Sequence, residues 1–197
     1  MTMKKLFDEI PFLENDKIIL KRMEDADAQE LERMTRSDHV YRFLPTFLYE
    51  QKYEDKHDVI RLFYEECFPA KEGIFLGIYW KDGSLTGEEG SGFRDGSGYV
   101  FCGIAEFYGF RDPVHKISIG YRLLEEYWGR GIASMAVSLM VDYLYNQTEI
   151  EIITASTMIE NQASASVLRK NDFVLVNSNV GEDWGYPAPT MVDKWIR

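Results

Sequence analysis

Short apolar segments bounded by charged or turn-forming residues recur along the chain, and each of them predicts a β-strand. They lie at 17–22, 74–80, 99–108, 116–124, 149–157, 173–176 and 193–196. A short turn around Pro113 separates the third segment from the fourth. We therefore expect these two strands to pair directly and antiparallel.

Apolar residues at helical spacing predict helices between several of these strands. The longest such pattern consists of Ile132, Met135, Ala136, Leu139, Met140, Tyr143 and Leu144. Further helices are expected after the acidic residues 24–27, over 54–68 before Pro69, and over 161–170 with Asn161 as N-cap. Because helices mostly alternate with strands while two neighbouring strands pair directly, we expect an α/β (α+β) fold with a mixed sheet.

The domain organisation indicated by the pattern is simple. No internal repeat and no linker is visible, so we expect a single domain over 1–197 with its core at about 17–197. The segment 81–98 is rich in glycine, serine and charge, which predicts a long hairpin loop whose role stays open. The segment 182–189 combines aromatic residues with two prolines and predicts a rigid loop.

Composition and charge narrow the choice of partners. No apolar run approaches the ~20 residues that span a bilayer, so no membrane contact is expected. The formal net charge of −11 disfavours nucleic acid as a partner, because phosphate contacts require basic patches. A negative field would attract a cationic amine. Taken alone, however, the charge favours the simpler interpretation that acidity keeps the protein soluble.

The cysteines, histidines and N-terminal residues indicate a cytoplasmic protein without a disulfide framework or a bound metal. Cys67 and Cys102 form neither a Cys-x-x-Cys pair nor a disulfide framework. The three histidines show no metal-ligand spacing, so no metal is expected. The first ten residues lack the apolar core of a signal peptide, and a cytoplasmic location is therefore expected.

The most informative segment begins at Trp128, at the start of the longest predicted helix. Gly129 and Gly131 let backbone amides approach a ligand, and the first turn of a helix carries free N–H groups. Such an arrangement binds phosphate. The alternative is an ordinary glycine turn, and the glycines alone do not decide between the two. A P-loop is excluded because no Gly-Lys-Ser/Thr follows, and the dinucleotide-binding fingerprint lacks its third glycine.

Two motifs in this part of the chain resemble the GNAT acetyltransferase superfamily. The segment 120–134, with Tyr-Trp-Gly-Arg-Gly-Ile-Ala at its end, is similar to the superfamily's Gln/Arg-x-x-Gly-x-Gly/Ala loop. The form with Tyr-Trp-Gly resembles the branch of ribosomal-protein-alanine acetyltransferases. The segment 161–173 resembles that branch's Asn-x-x-Ser-x-x-x-Leu-x-Lys-x-Gly-Phe motif. The resemblance extends from about residue 17 to the C-terminus.

The resemblance implies a fold, a cofactor and a set of cofactor-binding residues. The fold is a bent mixed sheet of about six or seven strands, split at the cofactor site, with helices on both faces. The cofactor is acetyl-CoA as acetyl donor, with its pantetheine arm along the strand ending at Leu123 and Leu124. The loop residues implied to hold the pyrophosphate are Gly129, Arg130, Gly131, Ile132, Ala133 and Ser134. Trp128, at the first position of the motif, is implied to bind the cofactor as well. Asn161 is implied to contact the cofactor. Two alternatives stay open: that Leu123 only packs in the core, and that Asn161 is only the N-cap of its helix.

The catalytic positions depart from the superfamily pattern. Ser118 stands where many members carry a glutamate base, and Leu168 stands where many carry a tyrosine acid. Glu106, in an apolar strand, is therefore the candidate base, with a solvent-facing or ion-paired glutamate as the alternative. The resemblance implies Ser164 as donor to the departing thiolate, or else a helix-surface serine. Asp172 replaces the usual helix-ending glycine and is expected to adopt a left-handed conformation.

These observations predict an N-acetyltransferase that moves an acetyl group to a primary amine by direct attack. The acceptor is a small molecule or a protein N-terminus, and the protein is a monomer or homodimer. Acids and aromatics at Glu182, Asp183 and Tyr186 suit a cationic amine, although Trp184 and Tyr186 packing against the core is favoured over that role. The alternative function is a catalytically weak module that binds and senses acetyl-CoA.

Overall fold

The computed structural model describes residues 4–81 and 99–197, so the predicted loop at 81–98 lies outside the described residues from position 82 onward. The strands are β1 (Leu13–Glu14), β2 (Ile18–Lys21), β3 (Gly73–Trp80), β4 (Val100–Arg111), β5 (Lys116–Leu123), β6 (Ile152–Met158), β7 (Val174–Glu182) and β8 (Thr190–Ile196). The α-helices are α1 (Ala28–Thr35), α2 (Asp38–Tyr41), α3 (Tyr49–Lys52), α4 (Lys56–Leu62), α5 (Ile132–Gln147) and α6 (Gln162–Lys170).

The strands of the described residues form one mixed sheet in the order β1-β2-β3-β4-β5-β6-β8-β7. All neighbours pair antiparallel except β5 and β6, which are parallel. The pattern of apolar segments predicted the other seven strands, and the additional strand is β1, which spans two residues. The expected mixed sheet is confirmed.

The sheet opens between β5 and β6. These strands pair over three positions, from Lys116 with Ile152 to Ser118 with Thr154. Beyond this point β5 continues to Leu123 and β6 continues to Met158 without further pairing between them. The backbone groups on the facing edges of the opening are therefore free of the parallel ladder, as the predicted split requires.

Helices cover both faces of the sheet. On one face, the ring of Phe63, directly after α4, stacks on Phe75 of β3 with ring centroids 3.9 Å apart. On the other face, Phe107 of β4 contacts Tyr143 of α5 at 6.0 Å between centroids. Phe75 and Phe107 lie on opposite faces because Phe75 pairs with Glu106, the neighbour of Phe107. Glu106, the candidate base, therefore lies on the same face of the sheet as Phe75.

The helix predicted over 54–68 consists of α4 and a π-helical turn over Phe63–Cys67, and it ends before Pro69 as expected. A bulge interrupts β4, because Ile78 pairs with Gly103 while Tyr79 pairs with Phe101. At Gly103 the neighbouring strand passes so close that a Cβ would lie 2.1 Å from the Arg122 carbonyl oxygen. Glycine at this position therefore allows β4 to remain paired with β5 beside the bulge.

The C-terminal hairpin differs from its prediction in length. The apolar pattern predicted a strand over 173–176, whereas β7 extends to Glu182. Most β7 side chains are exposed, and the polar Asn177, Ser178 and Asn179 have low strand propensity by themselves. Pairing with the well-buried β8 holds them in the sheet, and two irregularities in the register accommodate them.

Asp172 adopts the left-handed conformation that the sequence predicted, with φ of 60°. It follows α6, and its carboxylate accepts a hydrogen bond from Arg197 at 3.0 Å. Within the described parts of the chain, none of the helices is both long and apolar enough to cross a membrane.

Candidate active site

The glycine loop leads from β5 into the first turn of α5. Gly129 and Gly131 have φ angles of 71° and 79°, values that favour glycine. No heavy atom of the described residues lies within 4 Å of a Cβ built at either position. Gly131 is the N-cap of the 16-residue α5, and no side chain of the described residues caps that helix. Its first N–H groups therefore face open space beside two exposed glycines, which is an anion-binding geometry.

Trp128 ties this loop back to the end of β5. Its indole Nε1 donates to the carbonyl oxygen of Leu123 at 2.9 Å, while the rest of the side chain is half exposed. The side chains of Leu123 and Leu124 are both buried, as the core alternative expected. The Leu124 N–H donates to the Cys102 carbonyl at 2.9 Å.

Most residues that the resemblance assigned to the cofactor line one cleft of about 1680 Å³, together with Glu106 and Ser164. These are Leu123, Trp128, Gly129, Gly131, Ile132, Ala133, Ser134 and Asn161. Leu124 and Arg130 do not line the cleft, since Leu124 points into the core and Arg130 is exposed. The cleft follows the opening between β5 and β6.

The start of α6 lies beside this opening. Asn161 caps the helix, since its Oδ1 accepts a hydrogen bond from the Ser164 N–H at 3.1 Å. At the other end of α6, the Asn171 side-chain amide donates to Ser134 Oγ at 3.2 Å. The N-cap role that the sequence predicted for Asn161 is confirmed, and α6 is attached to the first turn of α5.

Ser164 has a partner that the sequence analysis did not identify. Its Oγ lies 3.0 Å from the phenol oxygen of Tyr121, which reaches across the opening from β5. Burial raises the pKa of Tyr121 to about 12, so the phenol keeps its proton at neutral pH. Strand alternation is the sequence signal that could have identified this partner. Tyr121 faces away from Gly120 and Arg122, toward the side of the sheet that α6 covers.

Glu106 lies on β4 opposite Gly120 of β5. A Cβ on Gly120 would lie 2.6 Å from Glu106 Oε1, so the glycine makes room for the carboxylate. Glu106 Oε2 accepts a hydrogen bond from Arg122 Nη1 at 3.1 Å, and 13% of the side chain is exposed. The ion-paired alternative is therefore what the structure shows, with Oε1 left on the side of Gly120.

Arg122 is buried between two glutamates. Besides Glu106, it contacts Glu50 of α3, with 2.5 Å between Arg122 Nε and Glu50 Oε1. Tyr41 donates its phenol proton to the same Glu50 oxygen at 3.1 Å. Burial alone would lower the pKa of Arg122, but the Glu50 and Glu106 carboxylates outweigh it and raise that pKa above its usual value. An arginine between Tyr121 and Leu123, inside a predicted strand, was the sequence signal for a buried charge at this place.

The segment 183–189 closes one side of the cleft by contacting the segment 42–48. The Thr46 N–H donates to the Trp184 carbonyl at 2.9 Å, and the Tyr186 hydroxyl donates to the Leu44 carbonyl at 2.9 Å. Trp184 is buried, as the core-packing interpretation favoured, and its indole donates to Glu182 at 3.0 Å. Tyr186 is exposed, so the same interpretation is wrong for that residue. Glu182 also forms an ion pair with Lys194. Glu182 is thus engaged by internal partners rather than held free for a ligand.

Comparison with known proteins identifies the family to which the chain belongs. A family model described as "Acetyltransferase (GNAT) domain" matches residues 17–174. The chain belongs to the GNAT acetyltransferases. It is therefore an acyltransferase, and acetyl-CoA is the acetyl donor that GNAT domains use.

Individual relatives extend this comparison. The "Uncharacterized N-acetyltransferase YoaA" of Bacillus subtilis (strain 168) is 28% identical over 163 residues, which cover 83% of this chain and 82% of the relative. Among solved structures, the RimL ribosomal L7/L12 alpha-N-protein acetyltransferase in complex with coenzyme A has a TM-score of 0.73 at 14% identity, covering 95% and 97% of the chains. Spermidine N-acetyltransferase from Vibrio cholerae, in complex with CoA and spermine, has a TM-score of 0.70 at 14% identity, covering 93% and 96%. At this identity the two structures establish the GNAT fold.

The Arg122 cluster yields a stability prediction. Glu50→Ala leaves the buried guanidinium with Glu106 as its remaining acid, and losing one partner of a buried ion pair costs about 3–5 kcal/mol. Urea unfolding should show this loss as a lower midpoint at unchanged slope. Glu9→Ala is the control, because the Glu9–Lys4 pair is half exposed and is expected to contribute less than about 1 kcal/mol. Equal losses in the two variants would contradict a stabilising role for Glu50.

Proposed function

We propose that this protein transfers the acetyl group of acetyl-CoA directly to the primary amine of a small molecule or a protein N-terminus, within one catalytic domain. One observation carries the proposal: the uncapped N-terminus of α5 and two open glycines lead into the same split that holds the Tyr121–Ser164 pair. The Glu106 carboxylate lines that cleft as well. An anion-binding end, an opening in the sheet and groups able to move protons are what such a transfer needs.

The donor's pyrophosphate is assigned to the loop from Gly129 to Ser134, where the free amides of α5 and the positive end of its dipole would hold it. The pantetheine arm is assigned to the edge of β5 that faces the opening, since those backbone groups are not paired with β6. The Leu123 carbonyl is already taken by Trp128, so it is not assigned to this pairing. Asn161 is assigned a contact with acetyl-CoA in addition to its N-cap role.

Glu106 is assigned as the base. A protonated primary amine has a pKa near ~10.4 and has to lose a proton before it attacks the thioester carbon. Arg122 fixes Glu106 through Oε2, which orients the carboxylate and leaves Oε1 for the amine or for a bridging water. The ion pair and the base are compatible, because each uses a different oxygen.

The Ser164–Tyr121 pair is assigned as the proton donor to the departing thiolate. Ser164 Oγ would give its proton to sulfur as it takes the proton of the Tyr121 phenol, 3.0 Å away, and the phenolate would then regain a proton from solvent in the cleft. Because Leu168 stands one turn further along α6, where the resembled pattern carries a tyrosine, the phenol of Tyr121 supplies that chemistry from the neighbouring strand. The similar structures include a ribosomal L7/L12 alpha-N-protein acetyltransferase and a spermidine N-acetyltransferase, which is why both kinds of acceptor are kept.

Acetyl transfer can be tested with a panel of primary amines, following release of free CoA thiol and mass of the acetylated product. We expect turnover with at least one amine and loss of acetyl-CoA binding in Gly131→Glu, which puts a carboxylate where phosphate is assigned. Ser138→Glu is the control, because it adds the same charge to an exposed position of α5 outside the cleft. Acetyl-CoA binding by calorimetry without transfer to any amine would support the sensor function instead. Unchanged binding in folded Gly131→Glu would refute the loop assignment.

Replacing Glu106 tests the assigned base. Glu106→Gln keeps the shape of the side chain, and losing a general base typically lowers the rate about 10²–10⁴-fold. The deficit in kcat should shrink as the pH rises toward the pKa of the amine, because more amine is then already neutral. Steady-state rates between pH 6 and 10 measure this, with the exposed Glu65→Gln as control. Equal rates at every pH would remove Glu106 from the mechanism, and loss of acetyl-CoA affinity would indicate a structural role.

The proton-donor pair has a different signature. Tyr121→Phe and Ser164→Ala should each lower kcat by about 10²-fold with little change in KM for acetyl-CoA, and the double variant should be no worse than the poorer single one. Since the pKa of Tyr121 is about 12, the phenol stays protonated between pH 6 and 9, so both deficits should be constant over that range. Multiplicative losses in the double variant would show that the two hydroxyls act separately.

A further inference from the structure

The floor of the cleft on the Glu106 side is formed by strands that α1–α4 leave uncovered. Ser118 of β5, Thr154 and Ser156 of β6 and Lys194 of β8 face the cleft, as their cross-strand pairing requires. Ser118 and Thr154 share a hydrogen bond of 2.9 Å between their hydroxyls, and Lys194 donates to Ser156 at 3.2 Å. Lys116, at the start of β5, completes this floor. Hydroxyl and ammonium groups at one place form a surface suited to an anion.

The charge of the cleft is opposite to that of the chain. Seven lysines and arginines but five acids are among the described residues that line it, whereas the whole chain carries a formal charge of −11. Counterions and substrates respond to this local potential inside a cleft more than to the net charge. The sign of the chain's net charge therefore does not predict the sign of the group that the floor attracts.

Lys116 is the basic group on the floor that is free to bind. Lys194 already pairs with Glu182, but Lys116, which is half buried, has no ion-pair partner in the described ranges 4–81 and 99–197. Burial and, to a smaller extent, repulsion from the charge of Lys116 lower the pKa of Lys194. An anion between them would relieve this repulsion.

In contrast to the positively charged floor, the cluster around Glu106 carries a negative charge. Glu50 and Glu106 share a single guanidinium, so the cluster keeps one uncompensated negative charge, and Glu106 presents it to the cleft. A positively charged ammonium would complete this cluster. Along β5, Lys116 lies four residues from Gly120, the partner of Glu106, or roughly 13 Å at ~3.3 Å per residue. The long lysine and glutamate side chains shorten the gap between the two charges.

We propose that the acceptor is a peptide-like primary amine carrying a carboxylate two or three residues from its reacting nitrogen, with the ammonium at Glu106 and the carboxylate at Lys116. An extended peptide covers about 3.3–3.6 Å per residue, so two or three residues span roughly 7–11 Å, and the lysine and glutamate side chains cover the rest of the distance between the two charges. A polyamine would place a second cation against Lys116 and Lys194 and is selected against. This inference rests on the proposed function and adds the substrate class to it.

Amidated tripeptides that differ at one position test the inference in the native protein. Ala-Ala-Asp-amide, Ala-Ala-Asn-amide and Ala-Ala-Lys-amide offer the same amine with a negative, neutral or positive third residue. We expect kcat/KM to be about tenfold higher for the aspartate peptide than for the asparagine peptide, and lowest for the lysine peptide and spermidine. The preference should weaken in 0.5 M salt, which screens partly exposed charges.

Variants at Lys116 test whether the preference for the aspartate peptide arises from the floor of the cleft. Lys116→Gln should bring the aspartate and asparagine peptides to within about twofold, and Lys116→Glu should reverse the order in favour of the lysine peptide. Lys17→Gln, at an exposed lysine outside the cleft, should keep the native preference. The native-protein comparison is decisive by itself if a Lys116 variant does not fold.

The outcomes separate this inference from the proposed function. Transfer to all three peptides at equal efficiency would overturn the inference while the acetyltransferase function stands. A native preference that survives Lys116→Gln would overturn the assignment of the carboxylate to Lys116. Binding of acetyl-CoA without transfer to any peptide or amine would overturn the proposed function, and the inference with it.

Discussion

The buried guanidinium of Arg122 connects three elements that line the cleft. It extends from β5, the strand at the edge of the opening, to Glu106 on β4 and to Glu50 on α3. Only 1% of the Arg122 side chain is exposed. Its buried charge is tolerated because both neighbours are acids and Tyr41 donates a hydrogen bond to one of them. The same contacts that offset the desolvation of Arg122 set the position of Glu106 and hold the short helices of the N-terminal half against the sheet.

The opening beside β5 is the second constraint on the architecture. Three pairs of residues join β5 to β6, and every further position gives up cross-strand hydrogen bonds to form the cleft. The sheet stays continuous because β4–β5 pairing and β6–β8 pairing extend along the open part on either side. Side chains replace some of the missing strand contacts: the Tyr121–Ser164 pair crosses the opening, and Asn171 connects α6 to the first turn of α5.

Local sequence patterns predicted what depends on local physics. The glycines before α5, the Asn161 cap and the left-handed Asp172 follow from backbone conformation and helix ends, and all three are present. The Arg122 cluster and the Tyr121–Ser164 contact were not predicted, because their partners lie 72 and 43 residues apart and no periodicity records such pairs. The full length of β7 was also missed, since pairing with β8 rather than propensity keeps its polar residues extended.

The wall of the cleft combines two loops that lie far apart in the chain, 42–48 and 183–189. The N–H and the hydroxyl of Thr46 both donate hydrogen bonds to the Trp184 carbonyl and join the two loops. The second loop lies beyond residue 174, where the match to the family model ends. Substitutions in these loops can change the shape of this wall while β5, the glycine loop and α5 stay intact. One half of the wall thus lies inside the matched family domain and the other half outside it, so chains that share the GNAT domain can differ at this side of the cleft through the segment 183–189.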